Sequence, residues 1–130
     1  MRLFVALSLP EEVRERLDGL ATGGIPGARW VAPENLHITL RFVGEVDGPR
    51  ARDLHDCLSA IDAPAFELTI NGLDTFGEGP KLRALYAGVE PNPALNHLQA
   101  KVSTAIGRAG LAPDGEKFRP HVTLARFKGD

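Results

Sequence analysis

The chain opens on residues 2–8, in which Leu3, Val5 and Leu7 alternate with Phe4 and Ala6. Period two predicts a strand, and apolar residues on both of its sides predict one that is covered on both faces. Pro10-Glu11-Glu12 then suits a first helical turn: the N–H that proline lacks would be unpaired there anyway, and the carboxylates complement the positive end of the helix dipole. Val13, Leu17, Leu20 and Ala21 recur at i, i+4, i+7 and i+8, so the spacing predicts a helix that Gly23-Gly24 stops. Residues 25–35, punctuated by Pro26-Gly27 and Pro33, read as loop with a short strand at Trp30-Val31.

A strand follows from about Leu36 to Val43 and ends at Gly44. A helix fits 49–61 through Leu54, Leu58 and Ile61. Phe66, Leu68 and Ile70 alternate with polar neighbours as a half-buried strand does, and Gly72, Gly77, Gly79 and Pro80 predict turns around Phe76. Leu82–Val89 reads as another strand. Leu95, Leu98, Val102, Ala105 and Ile106 set a helix over about 94–109 that Gly110 ends, and a last strand covers about 117–128. Strands and helices are interspersed in the order β-α-(β)-β-α-β-β-α-β. This predicts an α+β fold of two small sheet lobes, weakly repeated about the middle of the chain and facing each other across a cleft. No linker or low-complexity tract interrupts it, so 1–130 reads as one domain.

The polar positions carry a second pattern. Asn-Leu-His-Ile-Thr-Leu-Arg-Phe ends at Phe42, and Pro-His-Val-Thr-Leu-Ala-Arg-Phe ends at Phe127. In a regular strand Ile38, Leu40 and Phe42 share one face while His37, Thr39 and Arg41 share the other. In the second copy Val122 and Leu124 oppose His121 and Thr123, but the arginine comes one position later, after Ala125. Regular alternation would send Arg126 to the apolar face, which is costly for a guanidinium. The sequence therefore predicts a β-bulge near Leu124–Ala125 that returns Arg126 to the polar face and Phe127 to the core face.

Composition narrows the setting. The chain has 130 residues, 43% hydrophobic and 25% charged, which is ordinary for a globular domain able to bury its own core. A single cysteine, Cys57, cannot make an internal disulfide, so a reducing, cytoplasmic compartment is expected. No apolar run approaches the roughly 18 residues of a membrane span. The short apolar start is followed by Pro10-Glu11-Glu12 with no small-residue cleavage site, which favours a first strand over a signal peptide. A net charge of -2 lacks the basic excess of a protein that grips long nucleic acid, so any such substrate is expected to be held at one end or one phosphate.

Two imidazoles near neutral pKa supply one base and one acid, the two roles that in-line hydrolysis of a phosphodiester needs on opposite sides of phosphorus. The hydroxyls of Thr39 and Thr123 can donate to non-bridging oxygens, and Arg126 can offset the charge of a pentavalent transition state. One His-x-Thr alone is a weak signal; two copies, each followed by Leu and Arg-Phe, make a specific one. His55 and His97 fall in predicted helices without such support, and Cys57 beside Leu54 and Leu58 reads as a small buried hydrophobe. No spacing resembles a zinc site, and Gly77-Glu78-Gly79-Pro80 lacks the ending of a P-loop. Arg41, Lys81, Arg83, Arg119 and Lys128 read equally as a phosphate track or as solvated surface.

With these residues in hand, the chain resembles the two-histidine (2H) phosphoesterase superfamily, in its RNA 2′,3′-cyclic phosphodiesterase branch, also called 2′-5′ RNA ligase. The resemblance spans Arg2-Leu-Phe-Val-Ala-Leu, the run from Arg29-Trp-Val-Ala-Pro-Glu-Asn-Leu to Phe-Val-Gly-Glu45, and Phe118-Arg-Pro-His-Val-Thr-Leu-Ala-Arg126. It implies a bilobal α+β fold, with two antiparallel sheets flanking a central cleft and helices outside. It also implies opening of a terminal 2′,3′-cyclic phosphate to a 2′-phosphate without cofactor or metal, with 2′-5′ RNA ligation as an associated activity. By that resemblance His37 is the proton donor, His121 the proton acceptor, and Thr39, Thr123 and Arg126 hold the phosphate. The expected partners are RNA 3′ ends or small nucleotides bearing a cyclic phosphate, with no membrane. Members of the family usually continue beyond the second motif with further strands, whereas this chain stops at Asp130. The sequence is thus expected to lack those strands and, though a monomer is the first expectation, to leave a sheet edge through which it could dimerise. Two other readings stay open: a nucleotide- or RNA-end-binding module without turnover, and a phosphodiesterase for a small cyclic nucleotide.

Overall fold

The computed structural model describes residues 1–111, 115 and 117–128. In chain order the elements are β1 (Arg2–Ser8), α1 (Glu11–Asp18), β2 (Ala28–Trp30), β3 (His37–Glu45), α2 (Gly48–Ser59), β4 (Ile70–Phe76), β5 (Ala84–Val89), α3 (Pro93–Arg108) and β6 (His121–Phe127), with short 3-10 turns at Gly19–Gly23, Pro33–Asn35 and Gly79–Lys81. The class is α+β and the pairings are antiparallel, as expected. Hydrogen-bonded neighbours follow one path, β1-β3-β6-β5-β4, with β2 also on β6, so the strands do not separate into two sheets. The connecting link is one residue pair, Ile38 opposite Val122.

The chain divides into two compact units, each assembled from three stretches. The first takes Met1–Ala6, Thr39–Leu68 and Pro91–Arg119. Here β1 lies along the end of β3: Met1 and Val46 exchange both backbone hydrogen bonds, at 2.8 and 3.0 Å. Two caps start the helices. The Asp47 side chain accepts from the Arg50 N–H at 2.8 Å and that of Asn92 from the Leu95 N–H at 3.0 Å, satisfying donors that a helix start otherwise leaves open. Leu40, Val46, Leu54, Leu95, Val102, Ala105 and Ile106 are buried together in this unit. Arg50 Nη1 donates to the Gly110 carbonyl at 2.8 Å and so ties α2 to the end of α3.

The second unit takes Leu7–Ile38, Thr69–Glu90 and Pro120–Asp130 and is built around β6. One edge of β6 pairs with β5 over its length; the other edge receives the first residues of β3 and then β2. Leu36, Ile38, Ala84, Ala87, Val122, Leu124 and Ala125 are its buried apolar residues. Ile38 and Val122 have no exposed surface, so truncating either removes contacts that nothing nearby replaces.

Four expectations need correction. The first helix ends at Asp18 and tightens into a 3-10 turn, whose three residues per turn carry Leu20 off the 3.6-residue stripe to 44% exposure. The strand expected over Phe66–Ile70 instead begins at Ile70 and runs to Phe76. Gly72, expected as a turn, sits at φ 82 inside that strand, where the register against β5 shifts between Ile70 and Leu73. A left-handed glycine in a strand makes a bulge as readily as a turn, and local sequence does not separate the two. The short strand lies at Ala28–Trp30 rather than Trp30-Val31.

Candidate active site

Ile38 and Val122 are the middle residues of the two His-x-Thr triplets, and they face each other across the β3–β6 pairing. Both side chains are fully buried, so their neighbours along each strand point to the opposite, half-buried face. In an antiparallel register His37, one residue before Ile38, comes opposite Thr123, one residue after Val122. Thus His37, His121 and Thr123 share one face of the second unit. Thr39 is the next same-face position on β3, and it falls in the first unit.

The two imidazoles are held differently. His37 Nδ1 lies 2.5 Å from the Asn35 carbonyl oxygen. A carbonyl only accepts, so Nδ1 carries the hydrogen and Nε2 is the nitrogen that gains or loses a proton. His121 instead packs edge-on against two aromatic rings. Its centroid lies 5.0 Å from that of Phe76 at 79° and 5.3 Å from that of Tyr86 at 63°, while Phe76 and Tyr86 sit 4.4 Å apart. Edge-to-face contacts of this kind fix a ring's orientation.

The bulge expected in β6 is present. Tyr86 pairs with Thr123 but Leu85 pairs with Ala125, leaving Leu124 as the extra residue. Leu124 and Ala125 are both buried in succession, after which Arg126 is exposed opposite Ala84. Ala84, Tyr86 and Gly88 alternate on one face of β5, and their partners Arg126, Thr123 and His121 therefore share a face as well. Phe127 returns to the other face. Gly88, opposite His121, has no room for a side chain: a Cβ there would come within 2.9 Å of the Asn71 carbonyl oxygen.

The first strand breaks alternation at the same point. Arg41 is 6% exposed and Phe42 is 65% exposed, so the placement of Arg41 beside His37 and Thr39, with Phe42 in the core, is wrong. Both strands turn over after their leucine, which puts Arg41 where β6 has Ala125. Arg41 is therefore no part of a phosphate track, whereas Lys81, Arg83, Arg119 and Lys128 are exposed. His55 and His97 are exposed on α2 and α3 and Cys57 is half-buried. Among the described residues no three His, Cys, Asp or Glu side chains gather as a metal site, and no helix is long and apolar enough to cross a membrane.

Sequence reasoning missed four contributors. The Asn35 carbonyl is a backbone group with no signature. Phe76 and Tyr86 lie far from the histidines in sequence, and only the β4–β5–β6 register brings them to His121. Arg29 stands directly opposite Arg126 in the β2–β6 pairing, on the same face as the imidazoles.

A doubled His-x-Thr strand pair joined at its middle residues is the mark of a two-histidine phosphoesterase fold. The model of the 2′-5′ RNA ligase superfamily matches residues 9–130, and the chain belongs to that family. It is 36% identical over 128 residues to the RNA 2′,3′-cyclic phosphodiesterase of Geobacillus stearothermophilus, covering 95% of this chain and 41% of that protein. It is 36% identical over 113 residues to the protein of the same name from Aeropyrum pernix, covering 86% of this chain and 64% of that one. The chain thus spans less than two thirds of the length of these relatives. A crystal structure of Escherichia coli LigT complexed with 3′-AMP superposes with a TM-score of 0.80 at 32% identity, over 96% of this chain and 70% of that one.

Proposed function

We propose that this chain hydrolyses 2′,3′-cyclic phosphates at RNA 3′ ends or on small nucleotides to 2′-phosphates, by acid–base catalysis between His37 and His121. The observation that carries this reading is the Ile38–Val122 pair, which sets the two His-x-Thr triplets antiparallel about one point with both imidazoles on a single face. The relatives named RNA 2′,3′-cyclic phosphodiesterase and the 3′-AMP complex of LigT support the substrate class.

In the proposed reaction His121 takes a proton from water as its oxygen attacks phosphorus. The P–O3′ bond breaks, and His37 Nε2 delivers a proton to O3′, leaving a 2′-phosphate and a 3′-hydroxyl. This division of roles follows the family resemblance; the Nδ1–H donated to Asn35 supports it by keeping Nε2 as the working nitrogen of His37. Thr39, Thr123 and Arg126 donate to the non-bridging oxygens as negative charge builds there. None of these steps calls for a metal or cofactor. The lone Cys57 supports a reducing, cytoplasmic setting.

The deciding experiment incubates the protein with a short RNA ending in a 2′,3′-cyclic phosphate in excess EDTA. A 2′-phosphate product that disappears in His37→Ala and His121→Ala is expected. Turnover surviving either substitution would sink the acid–base assignment, and activity lost with EDTA would point to a metal enzyme.

A further inference from the structure

We infer that Arg29, held beside Arg126, forms a second anion subsite that takes the phosphodiester immediately 5′ of the terminal nucleotide, and so selects RNA ends over mononucleotides. This inference rests on the cyclic-phosphate reading of the imidazole face.

The two arginines are direct partners across β2 and β6. Like charges at directly opposed positions repel, and a chain gains nothing from such a pair unless an anion bridges it. Among the described residues, no ion pair or hydrogen bond joins either guanidinium to a carboxylate. The nearest acid on the same face of the neighbouring strands, Asp74 opposite Tyr86, already accepts from the Thr75 N–H at 2.7 Å. The arrangement is also built rather than incidental. The β6 bulge turns Arg126 to this face, and β2 pairs over only three residues, with Trp30 on the reverse side against Ala125. Both arginine side chains are exposed to an incoming ligand.

Charge decides what the ligand is. A cyclic phosphate is a monoanion, and Arg126 with the threonine hydroxyls already meets it. A second guanidinium, that of Arg29 on β2 directly opposite Arg126, matches a second phosphate. In a substrate that is an RNA end, that phosphate is the linkage to the preceding nucleotide. A mononucleotide has none.

The test compares adenosine 2′,3′-cyclic phosphate with the dinucleotide ApA ending in a 2′,3′-cyclic phosphate, in the wild type and in Arg29→Gln and Arg29→Lys. The ratio of kcat/KM for dinucleotide over mononucleotide is expected to fall about tenfold or more in Arg29→Gln, the scale of one hydrogen bond to a charged group, and to recover in part in Arg29→Lys. The fall should lie in KM, and the dependence of log KM on log salt should flatten by roughly 0.7, as expected when one phosphate of a single strand is no longer neutralised. Thermal denaturation of each variant checks folding. An unchanged ratio overturns the proposal: if both substrates weaken in parallel Arg29 serves the cyclic phosphate itself, and if neither does it is solvated surface. Calorimetric binding of ApA 3′-phosphate against 3′-AMP keeps this question separate from turnover. A wild type that hydrolyses neither cyclic phosphate would overturn the proposed reaction, while tighter calorimetric binding of ApA 3′-phosphate than of 3′-AMP that is lost in Arg29→Gln would still support the subsite.

Discussion

β3 and β6 repeat one order of burial and differ in the side chains that occupy it. Over their first six residues the order of burial is identical: half-buried His, buried aliphatic, half-buried Thr, buried Leu, a second buried residue, then an exposed one. In β6 the last two are Ala125 and Arg126; in β3 they are Arg41 and Phe42. Both strands break alternation after the leucine, and the two halves diverge only in the side chains that meet the break. β6 puts a small residue in the core and a cation on the reactive face. β3 buries its cation and exposes an aromatic ring, which packs 6.0 Å from Phe4 across β1. In the proposed reaction this difference lets β3 supply the acid, and β6 the base and a guanidinium.

The largest expected effect removes what the strands share. His37→Ala and His121→Ala should each cost at least about 10²–10⁴-fold in kcat, and the double variant little more than either alone, because acid and base act on one transition state. The pH profile of kcat should be bell-shaped. Under the proposed roles its acid limb should flatten in His121→Ala and its alkaline limb in His37→Ala. Limbs that respond the other way round would exchange the roles.

Next come changes that make β6 behave like β3. Arg126→Phe should lower kcat about 10²–10³-fold, comparable to losing one transition-state donor, with little change in melting temperature. Deleting Ala125 should produce a similar loss together with destabilisation, because Arg126 would then be turned toward Leu85 and Trp30. Retained activity in the deletion would show that the bulge is not what aims the guanidinium.

The shared pivot is tested by stability rather than rate. Ile38→Ala is expected to cost about 2–5 kcal/mol in denaturant unfolding. Val122→Ala deletes less and should fall near the lower end.

Smaller effects probe the asymmetry. Phe76→Leu should reduce kcat roughly two- to tenfold, the worth of one aromatic contact. An unchanged kcat would mean that the ring does not act through His121. Phe42→Ala should alter stability by less than about 1 kcal/mol, as expected of a residue 65% exposed.

Much of this could be read from the chain. The period-two phrases set the polar and apolar sides of both histidine strands as far as the leucines, and the cost of burying Arg126 predicted the bulge after Leu124. The same reasoning failed for Arg41, because alternation has no visible reason to stop there and only the second copy carries an irregularity in its sequence. It failed for β4 because Gly72 reads alike as turn or bulge, and for Leu20 because a helix that tightens in its last turn changes period without changing composition.

What the sequence alone determined was which side chains the two histidine strands offer to each face as far as their leucines, since that depends on neighbours one and two residues away. The tertiary structure decided which offerings meet. Setting Ile38 against Val122, Arg29 against Arg126, and Tyr86 beside His121 depends on the register between strands distant in sequence. Register is chosen by how whole apolar faces close on one another, and a shift of one residue would turn every one of these side chains to the opposite side.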